Sequence, residues 1–292
     1  MSKRNYLEID YSQLETKNVA DILLVTATKT ETEFLLDLFE DVCSEGLLEV
    51  KKDEKRYNLG VFGGYNVVHC QCTNMGTQEV GSSMLTTTNA LRDWPNVKCV
   101  IMVGIAFGMY NEVDDIEKQS FGDVLVAKKI FPYENQRLNP SGDTKYRGIE
   151  HESDRNLLDA FTIVARDWNE INYNNEQTKI HIVPMLTGEK LVDNLTWRND
   201  IKAKYSDYKG GEMEGMGIAS ASTDAGKPWI LVKSICDFAK RIDSTKFNKK
   251  SWEAAIKTGA FDRFGERSDL LFNLETVQAY GTKLSKGIQI SQ

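Results

Sequence analysis

The chain has 292 residues, of which 41% are hydrophobic and 27% are charged, and its formal net charge is -7 at pH 7. This composition is typical of a globular protein with enough residues to bury a sizeable core. An acidic balance argues against nucleic-acid binding, and we see neither an apolar run that could span a membrane nor the apolar stretch of a signal peptide. We therefore expect a cytoplasmic protein with no nucleic-acid or membrane partner.

The first half of the chain alternates between strand and helix patterns. Residues 1–18 are polar and predict an N-terminal extension, with one domain from residue 19 to 292. "VADILLVTAT" (19–28) has the aliphatic run of a buried strand, and "TETEFLLDLFEDV" after it has apolar residues at helical spacing. A hairpin is predicted around Gly63 and Gly64, then a helix in "GTQEVGSSMLTTTNALRDW" and a buried strand in "VKCVIMVGIAFGM".

The second half continues the alternation. "FGDVLVAKKIFPYE" predicts a strand, and "SDRNLLDAFTIVARDW" predicts a helix with Ser153 as its N-cap. "KIHIVPMLTGE" and "KPWILVKSICDFAK" predict two more strands, and "SDLLFNLETVQAYGTKL" predicts a closing helix. Strands that alternate with helices predict a single-domain α/β fold with three layers, α/β/α, around a central mixed sheet.

The cysteines and histidines give no support to a metal site. Four of the five cysteines lie in or beside apolar segments, as reduced core thiols do. There is no HExxH or CxxC pattern, and the three histidines are scattered along the chain. We therefore expect neither a metal nor an organic cofactor.

Polar or glycine-rich residues follow several of the predicted strands. In sheets of this kind, ligands bind at the carboxyl ends of the strands. Glu31 follows the first strand, "GIAFG" ends another, "TGE" a third, and Asp237 the last. In "GGEMEGMGIAS" (210–220) two glutamates flank Met213 at a helix start. Each feature alone has a simpler structural explanation, such as a first-turn charge, an N-cap or a turn.

Common nucleotide and nucleophile signatures are missing from the sequence. "VGIAFG" is not GxGxxG and no P-loop lysine accompanies it, and there is no GxSxG or Ser-His-Asp order.

The order of six motifs is more informative than any one of them: "VTATKTETEF", "VGIAFG", "GDVLVA", "LTGEKLV", "GGEMEG" and "VKSICD". In this order they resemble the nucleoside phosphorylase superfamily, especially its hydrolytic branch of methylthioadenosine/S-adenosylhomocysteine nucleosidases and related purine nucleosidases. The resemblance runs from about residue 21 to about residue 239, and Glu-Met-Glu followed by a strand that ends in Asp is its most specific part.

The resemblance implies a role for each of three carboxylates. Glu31 falls on the residue that activates the attacking water, and Glu214 on the one that binds the ribose hydroxyls. Asp237 falls on the acid that donates a proton to purine N7. An aspartate is protonated near neutral pH only if burial raises its pKa, which the apolar setting "WILVKSICDFA" would favour.

The remaining positions of the resemblance concern substrate binding. Met213 falls where the family packs on the sugar, and the residues expected to line the base pocket or lie beside the substrate are Ile105, Ala106, Leu191 and Val192. Lys233 and Cys236 also fall in the site, where the nucleosidases often have arginine and usually have serine. Phe107 interrupts the usual pair of glycines. The Gly-Asp-Pro-x-Arg segment of the phosphorylases is absent, which favours water over phosphate as the nucleophile.

The resemblance implies hydrolysis of the N-glycosidic bond of a purine nucleoside or nucleotide, with adenine the expected base, by a homo-oligomer (a dimer or hexamer in the family). Three alternatives remain: an ATP or AMP nucleosidase that depletes nucleotides in antiviral defence, a phosphate-dependent phosphorylase, and a non-catalytic nucleoside sensor. Phosphates would require basic partners. The candidates are Lys128, Lys129, Arg137, Lys145, Arg147 and Lys190, although we favour a solvated loop as the explanation of these charges.

Overall fold

The computed structural model describes residues 6–14, 20–37, 39, 47–62, 65–112, 115–142, 144–166, 168 and 177–239. The predicted closing helix at residues 268–284 lies outside the described residues, as does the segment 243–269, to which the sequence assigns no role.

Thirteen strands are present in the described part of the chain. They are β1 (Tyr6–Asp10), β2 (Ile22–Thr26), β3 (Leu47–Lys52), β4 (Lys55–Phe62), β5 (Tyr65–Gln71), β6 (Cys99–Gly108), β7 (Val124–Pro132), β8 (Gln136–Leu138), β9 (Thr144–Tyr146), β10 (His151–Glu152), β11 (Ile180–Thr187), β12 (Gly210–Glu212) and β13 (Trp229–Asp237). The helices among the same residues are α1 (Lys29–Asp37), α2 (Ser83–Asp93), α3 (Arg155–Arg166), α4 (Leu195–Lys204) and α5 (Gly215–Asp224).

Eleven of these strands form one mixed sheet, in the order β1-β3-β4-β5-β2-β6-β12-β11-β7-β10, with β13 paired to both β6 and β7. At its centre β5, β2, β6 and β13 run parallel to one another, so their carboxyl ends meet at one edge. β12 runs antiparallel to the end of β6 and thereby brings the glutamates of "GGEMEG" to the same edge. β8 and β9 form a separate hairpin.

The core occupies both faces of this sheet. On β2, Leu23 and Val25 pack with residues of α2 and α5, whereas Leu24 packs on the opposite face with residues of α1 and α3. β6 and β13 alternate in the same way, which is why these strands read as continuous apolar runs rather than as a polar–apolar alternation. The predicted α/β fold, with helices on both faces of a central mixed sheet, is confirmed.

The predicted N-terminal extension needs correction where the chain is described. β1 pairs parallel with β3 and forms an edge of the sheet. Tyr11 follows it, with its ring 5.3 Å from that of Trp94 and its hydroxyl donating to the Asp93 carbonyl at 2.6 Å. These residues therefore belong to the domain, because their backbone and aromatic contacts bind them to it.

The predicted N-cap of α3 was one residue early. Asp154 caps the helix, since its Oδ1 accepts from the backbone N–H groups of Asn156 at 2.9 Å and Leu157 at 3.0 Å. Ser153 instead donates its hydroxyl to the carbonyl of Ala127 at 2.6 Å and fixes the preceding segment to β7. No helix among the described residues is long and apolar enough to cross a membrane.

Candidate active site

A cavity of about 280 Å³ opens at the carboxyl ends of β2, β6 and β13. Every predicted site residue except Lys233 lines it, and Lys233 is fully buried behind Glu214. The lining consists of Ala27, Thr28, Glu31, Met75, Ile105, Ala106, Phe107, Lys190, Leu191, Val192, Gly211, Glu212, Met213, Glu214, Cys236 and Asp237. Residues that are up to 210 positions apart in the sequence thus meet at one edge of the sheet.

Glu31 is fixed in the first turn of α1 by three backbone N–H groups. Its Oε2 accepts from Ala27 at 2.9 Å and Thr28 at 2.7 Å, and its Oε1 accepts from Ile105 at 3.1 Å. The side chain is only 1% exposed. An ionised carboxylate offers about four acceptor positions, so one remains for a further donor such as water.

Gly104 makes room for this arrangement. A Cβ atom at position 104 would lie 2.5 Å from Glu31 Oε1 and 3.3 Å from Lys233 Nζ. The first distance is shorter than real side chains tolerate, so any other residue would displace the carboxylate. The glycine therefore lets the Glu31 carboxylate and the Lys233 ammonium lie against the β6 backbone.

Lys233 is a buried cation shared by several carboxylates. Its Nζ donates to Glu214 Oε2 at 3.2 Å and lies 3.5 Å from Glu212 Oε2. Burial by itself lowers the pKa of Lys233, but the charges of Glu214, Glu212 and Glu31 outweigh burial and raise it. The lysine consequently stays protonated and holds the two glutamates of "GGEMEG" on the cavity wall.

Glu212 caps the helix that begins at Gly215. Its carboxylate accepts from the backbone N–H groups of Glu214 at 2.9 Å and of Gly215 at 2.8 Å. Burial raises the pKa of Glu212, partly offset by the ammonium of Lys233. Since one lysine faces three buried carboxylates, the site is short of positive charge.

Glu214 is oriented from two sides. Oε1 accepts from the backbone N–H of Gly76 at 3.3 Å, while Oε2 accepts from Lys233. Ser83, at the start of α2, donates its hydroxyl to the Glu214 carbonyl at 2.8 Å. The side chain is 5% exposed and reaches the cavity, where Met213 lies beside it.

β13 ends in a β-bulge that places two consecutive side chains on the cavity. The register with β6 shifts between Ile235, opposite Ala106, and Asp237, opposite Phe107, so Cys236 is the extra residue. Side chains of a regular strand alternate between faces, whereas a bulge can turn neighbours to the same side. Cys236 and Asp237 both line the cavity for this reason.

The loop between β5 and α2 closes one side of the cavity. Thr77 donates its backbone N–H to both carboxylate oxygens of Glu189 at 3.1 Å, and its hydroxyl also donates to Glu189. Gly76 has a positive φ of 84°, a conformation that favours glycine. The same loop carries Met75, which lines the cavity and is 51% exposed.

Of the six basic residues that the sequence offers as phosphate partners, Lys190 alone lines this cavity. Its ammonium donates to Glu134. Lys129 is paired with Glu150 at 2.6 Å, and Arg137 and Lys145 face each other on the separate β8–β9 hairpin.

Sequence reasoning did not place Ala27, Thr28, Met75, Phe107, Gly211 or Glu212 in the cavity wall, and it missed the contact of Glu189 with Thr77. Ala27 and Thr28 were detectable, because they are the first two residues after the buried strand β2. Met75 and Glu189 were not, because their position depends on a loop contact between residues about 110 positions apart. Among the described residues, no group of three or more His, Cys, Asp and Glu side chains is arranged to hold a metal ion.

Known proteins resemble the chain in both sequence and fold, although no protein-family profile matches it. A "Death domain-containing ATP nucleosidase" of Amphimedon queenslandica is 26% identical over 249 residues, which cover 79% of this chain and 45% of that protein. A 5'-methylthioadenosine/S-adenosylhomocysteine nucleosidase of Desulfotalea psychrophila is 24% identical over 245 residues, which cover 80% of this chain and 91% of the relative. The chain thus matches less than half the length of the first relative and nearly all of the second.

The solved structure of the S-adenosylhomocysteine nucleosidase from Streptococcus pyogenes, in complex with 5-methylthiotubericidin, has the same fold with a TM-score of 0.64. It is 20% identical, and the match covers 92% of this chain and 99% of that one. The chain is therefore similar in sequence to nucleosidases, and it shares the fold of the solved nucleosidase structures.

Proposed function

We propose that the chain hydrolyses the N-glycosidic bond of an adenine nucleoside or nucleotide and releases the free base. The observation that carries this proposal is the convergence of Glu31, Glu214 and Asp237 on one cavity. Breaking this bond calls for an acid at the base, a base for the water and a partner for the sugar, and these three carboxylates can divide that work.

Asp237 is the proposed acid. Its proton passes to N7 of the purine while the C1′–N9 bond breaks and the bonding electrons move to the base. Glu31 is the proposed base, which takes a proton from the water that attacks C1′. Both groups return to their starting state by exchange with water. A positioned acid or base contributes about 100-fold to 10,000-fold to such a rate.

Glu214 is the proposed partner of the ribose hydroxyls. Lys233 and Gly76 hold its carboxylate in place, so it is oriented before a substrate arrives. Apolar side chains of the cavity suit the flat faces of base and sugar, with Met213 against the sugar and Leu191, Val192, Ile105 and Ala106 around the base.

Water is the proposed nucleophile, rather than phosphate. A phosphate bound at the start of α1 would need backbone N–H groups there. Those of Ala27 and Thr28 donate to Glu31 instead. The carboxylate of Glu31 occupies the donors that an anionic nucleophile would require and adds a negative charge beside them.

Two substrate classes remain candidates. The similarity to methylthioadenosine/S-adenosylhomocysteine nucleosidases favours a neutral thio-adenosine nucleoside. The similarity to an ATP nucleosidase, together with Lys190 in the cavity wall, favours an adenine nucleotide, as in a nucleotide-depleting effector of antiviral defence. A cytoplasmic homo-oligomer, dimeric or hexameric, fits either class, and light scattering would check the oligomeric state.

Release of free adenine tests the proposal directly. The purified chain is incubated with methylthioadenosine, S-adenosylhomocysteine, adenosine, AMP and ATP, with and without inorganic phosphate. We expect phosphate-independent release from at least one substrate and a loss of at least about 100-fold in the Asp237→Asn variant. The exposed Asp224→Asn variant is the matched control.

Other outcomes identify the alternatives. Release that depends on phosphate would indicate a phosphorylase. Binding of a nucleoside without any release would indicate a sensor. Full activity of Asp237→Asn would remove Asp237 from the mechanism.

A further inference from the structure

The bulged residue Cys236 contacts the proposed acid through its own side chain. Its Sγ lies 3.4 Å from Asp237 Oδ2 and 3.6 Å from the carbonyl oxygen of Ala106. A thiol has a single proton, so it can donate to only one of these acceptors at a time. The other carboxyl oxygen, Oδ1, accepts from the backbone N–H of Ala239 at 2.7 Å.

The position of Ala239 makes this second contact firm. Its φ is 53°, a left-handed conformation that a non-glycine residue rarely adopts, and it is fully buried. Oδ1 is thereby held by a backbone donor that cannot rotate away. Oδ2 is the carboxyl oxygen that lies beside the thiol.

We propose that Cys236 is a positioning residue that sets the proton affinity of Asp237, donating to Oδ2 when the carboxyl is ionised and to the Ala106 carbonyl when it is protonated. This inference rests on the proposed function, in which Asp237 gives its proton to the base. As the glycosidic bond breaks, the proton leaves Oδ2 and the thiol proton turns toward it. After the base departs, Oδ2 regains a proton from water and the thiol returns to the carbonyl.

The chemistry of sulfur explains why the side chain matters. A donor to a carboxylate stabilises the charged form and lowers the pKa. An S–H group is a weak donor, whereas a hydroxyl forms short, strong bonds to a carboxylate. A serine at this position would therefore hold Asp237 in its ionised form to lower pH, and the cysteine keeps the acid loaded with its proton at higher pH.

Other charges around Asp237 stay the same when Cys236 is changed. They come from α1, the segment after β11, β12, the start of α5, and β13 itself, and a further cation on α4 donates to the Phe238 carbonyl at 3.1 Å. Among the described residues these groups are Glu31, Lys190, Glu212, Glu214, Lys233 and Arg198. A shift seen on replacing Cys236 alone thus reports the thiol rather than the surrounding field.

The test compares Cys236→Ser and Cys236→Ala with the wild-type chain in the pH dependence of kcat. Activity should fall at high pH as Asp237 loses its proton. We expect the midpoint of this fall to lie lowest for serine and highest for alanine, with about half to one pH unit between neighbours. A role in packing alone would change the height of the profile without this order. Cys99 is a buried thiol at the other end of β6, so the Cys99→Ser variant is the control and should keep the wild-type midpoint.

A second measurement separates this inference from the proposed function. The Asp237 carboxyl is titrated by carbon-13 NMR of protein labelled at the aspartate side chains, with its resonance identified by its loss in Asp237→Asn. The same order of midpoints is expected even if no tested nucleoside is cleaved, in which case only the proposed function fails. Identical midpoints in the three proteins would overturn the role of Cys236.

Discussion

Glu214 shows how much of the site depends on single side chains. It accepts hydrogen bonds from Gly76 and Lys233 and lies on the cavity wall that the sugar would face. The Glu214→Gln change keeps its size and removes its charge. Charge-assisted hydrogen bonds contribute about 1.5–3 kcal/mol, so we expect kcat/KM for ribosides to fall about 10-fold to 100-fold.

The corresponding 2′-deoxyribosides should lose less, because one of the two hydroxyl partners is already missing. Measuring both sugars in both proteins gives the comparison, with the exposed Glu33→Gln variant as control. Equal losses for the two sugars would count against a role of Glu214 in ribose binding.

Lys233 also contributes to the stability of the fold, because it is the cation that pairs with two buried glutamates. Lys233→Met leaves Glu212 and Glu214 buried without their cation, and breaking a buried pair in this way costs about 3–5 kcal/mol of unfolding free energy. We expect that loss at pH 7 in denaturant unfolding. The exposed Lys128→Met change should cost far less.

The loss should shrink as the pH is lowered. Burial raises the pKa of Glu212 in the folded chain above its unfolded value. A carboxyl group with a raised pKa takes up a proton on folding. It therefore destabilises the folded state most at high pH, and this destabilisation is relieved as the pH falls through the folded pKa. We therefore expect a smaller difference between variant and wild type at pH 5 than at pH 7. A difference that is constant with pH would show that the destabilisation comes from packing.

At the scale of elements, a buried chain of hydrogen bonds links β4, β5 and β2 to α1. Asn58 Nδ2 donates to His69 Nδ1 at 3.2 Å, and His69 Nε2 lies 2.9 Å from Thr26 Oγ1. Thr26 in turn lies 2.7 Å from the hydroxyl of Thr32, which donates to the carbonyl of Thr28 at 2.9 Å. When His69 is neutral and carries its proton on Nε2, each group in this series can donate a hydrogen bond to the next, from Asn58 to the carbonyl of Thr28.

Burial lowers the pKa of His69 to about 3, well below the value of an exposed histidine. The unfolded chain therefore binds this proton first. The contribution of neutral His69 to the unfolding free energy is complete above about pH 6.5 and is lost as the pH falls from there toward 3. From this group alone we expect a loss of about 2 kcal/mol between pH 7 and 5.

The difference between wild type and a variant without this histidine isolates the contribution of His69. His69→Gln retains a donor and an acceptor but does not titrate, so the unfolding free energy of this variant should vary less with pH over the same interval. His151→Gln, on β10, serves as control. Parallel pH curves for His69→Gln and wild type would contradict the assignment.

The elements themselves were largely predictable, because buried strands and amphipathic helices carry their signal locally. β2, β6 and β13 appear as apolar runs, and α3 shows its apolar spacing directly. The bulge at Cys236 was not predictable, since it exists only in the register between β13 and β6. The same applies to the ion pairs of Lys233, which join strands and loops that are separate in sequence. The edge strand β1 was missed because it is only five residues long and lies in a segment, residues 1–18, whose overall composition is polar.

At the scale of the whole molecule, the acidic balance of the chain reappears in the cavity. Four carboxylates line it, whereas Lys190 supplies its one lining cation among the described residues. A phosphorylated substrate would meet repulsion that Lys190 could partly offset. If the substrate is AMP or ATP, we expect Lys190→Gln to raise its KM about 2-fold to 5-fold and to leave adenosine unaffected.

Salt and a matched variant sharpen this test. The difference should fade as ionic strength rises, because exposed charges are screened beyond about 10 Å at 0.1 M. The double change Lys145→Gln and Arg147→Gln, outside the cavity lining, should leave both KM values as in wild type. An equal rise for adenosine and nucleotide would show that Lys190 supports the base pocket instead of a phosphate.

Gly104 has a consequence for how this sequence can change over generations. A methyl group there would meet Glu31 at 2.5 Å, so even the smallest replacement, alanine, disturbs a carboxylate proposed for the reaction. Neighbouring core positions such as Val103 can exchange one aliphatic residue for another with modest effect. Related sequences that retain the activity should therefore vary at the neighbouring core positions but keep glycine at position 104. A replaced glycine in a related chain would mark a descendant that keeps the fold and has abandoned the activity.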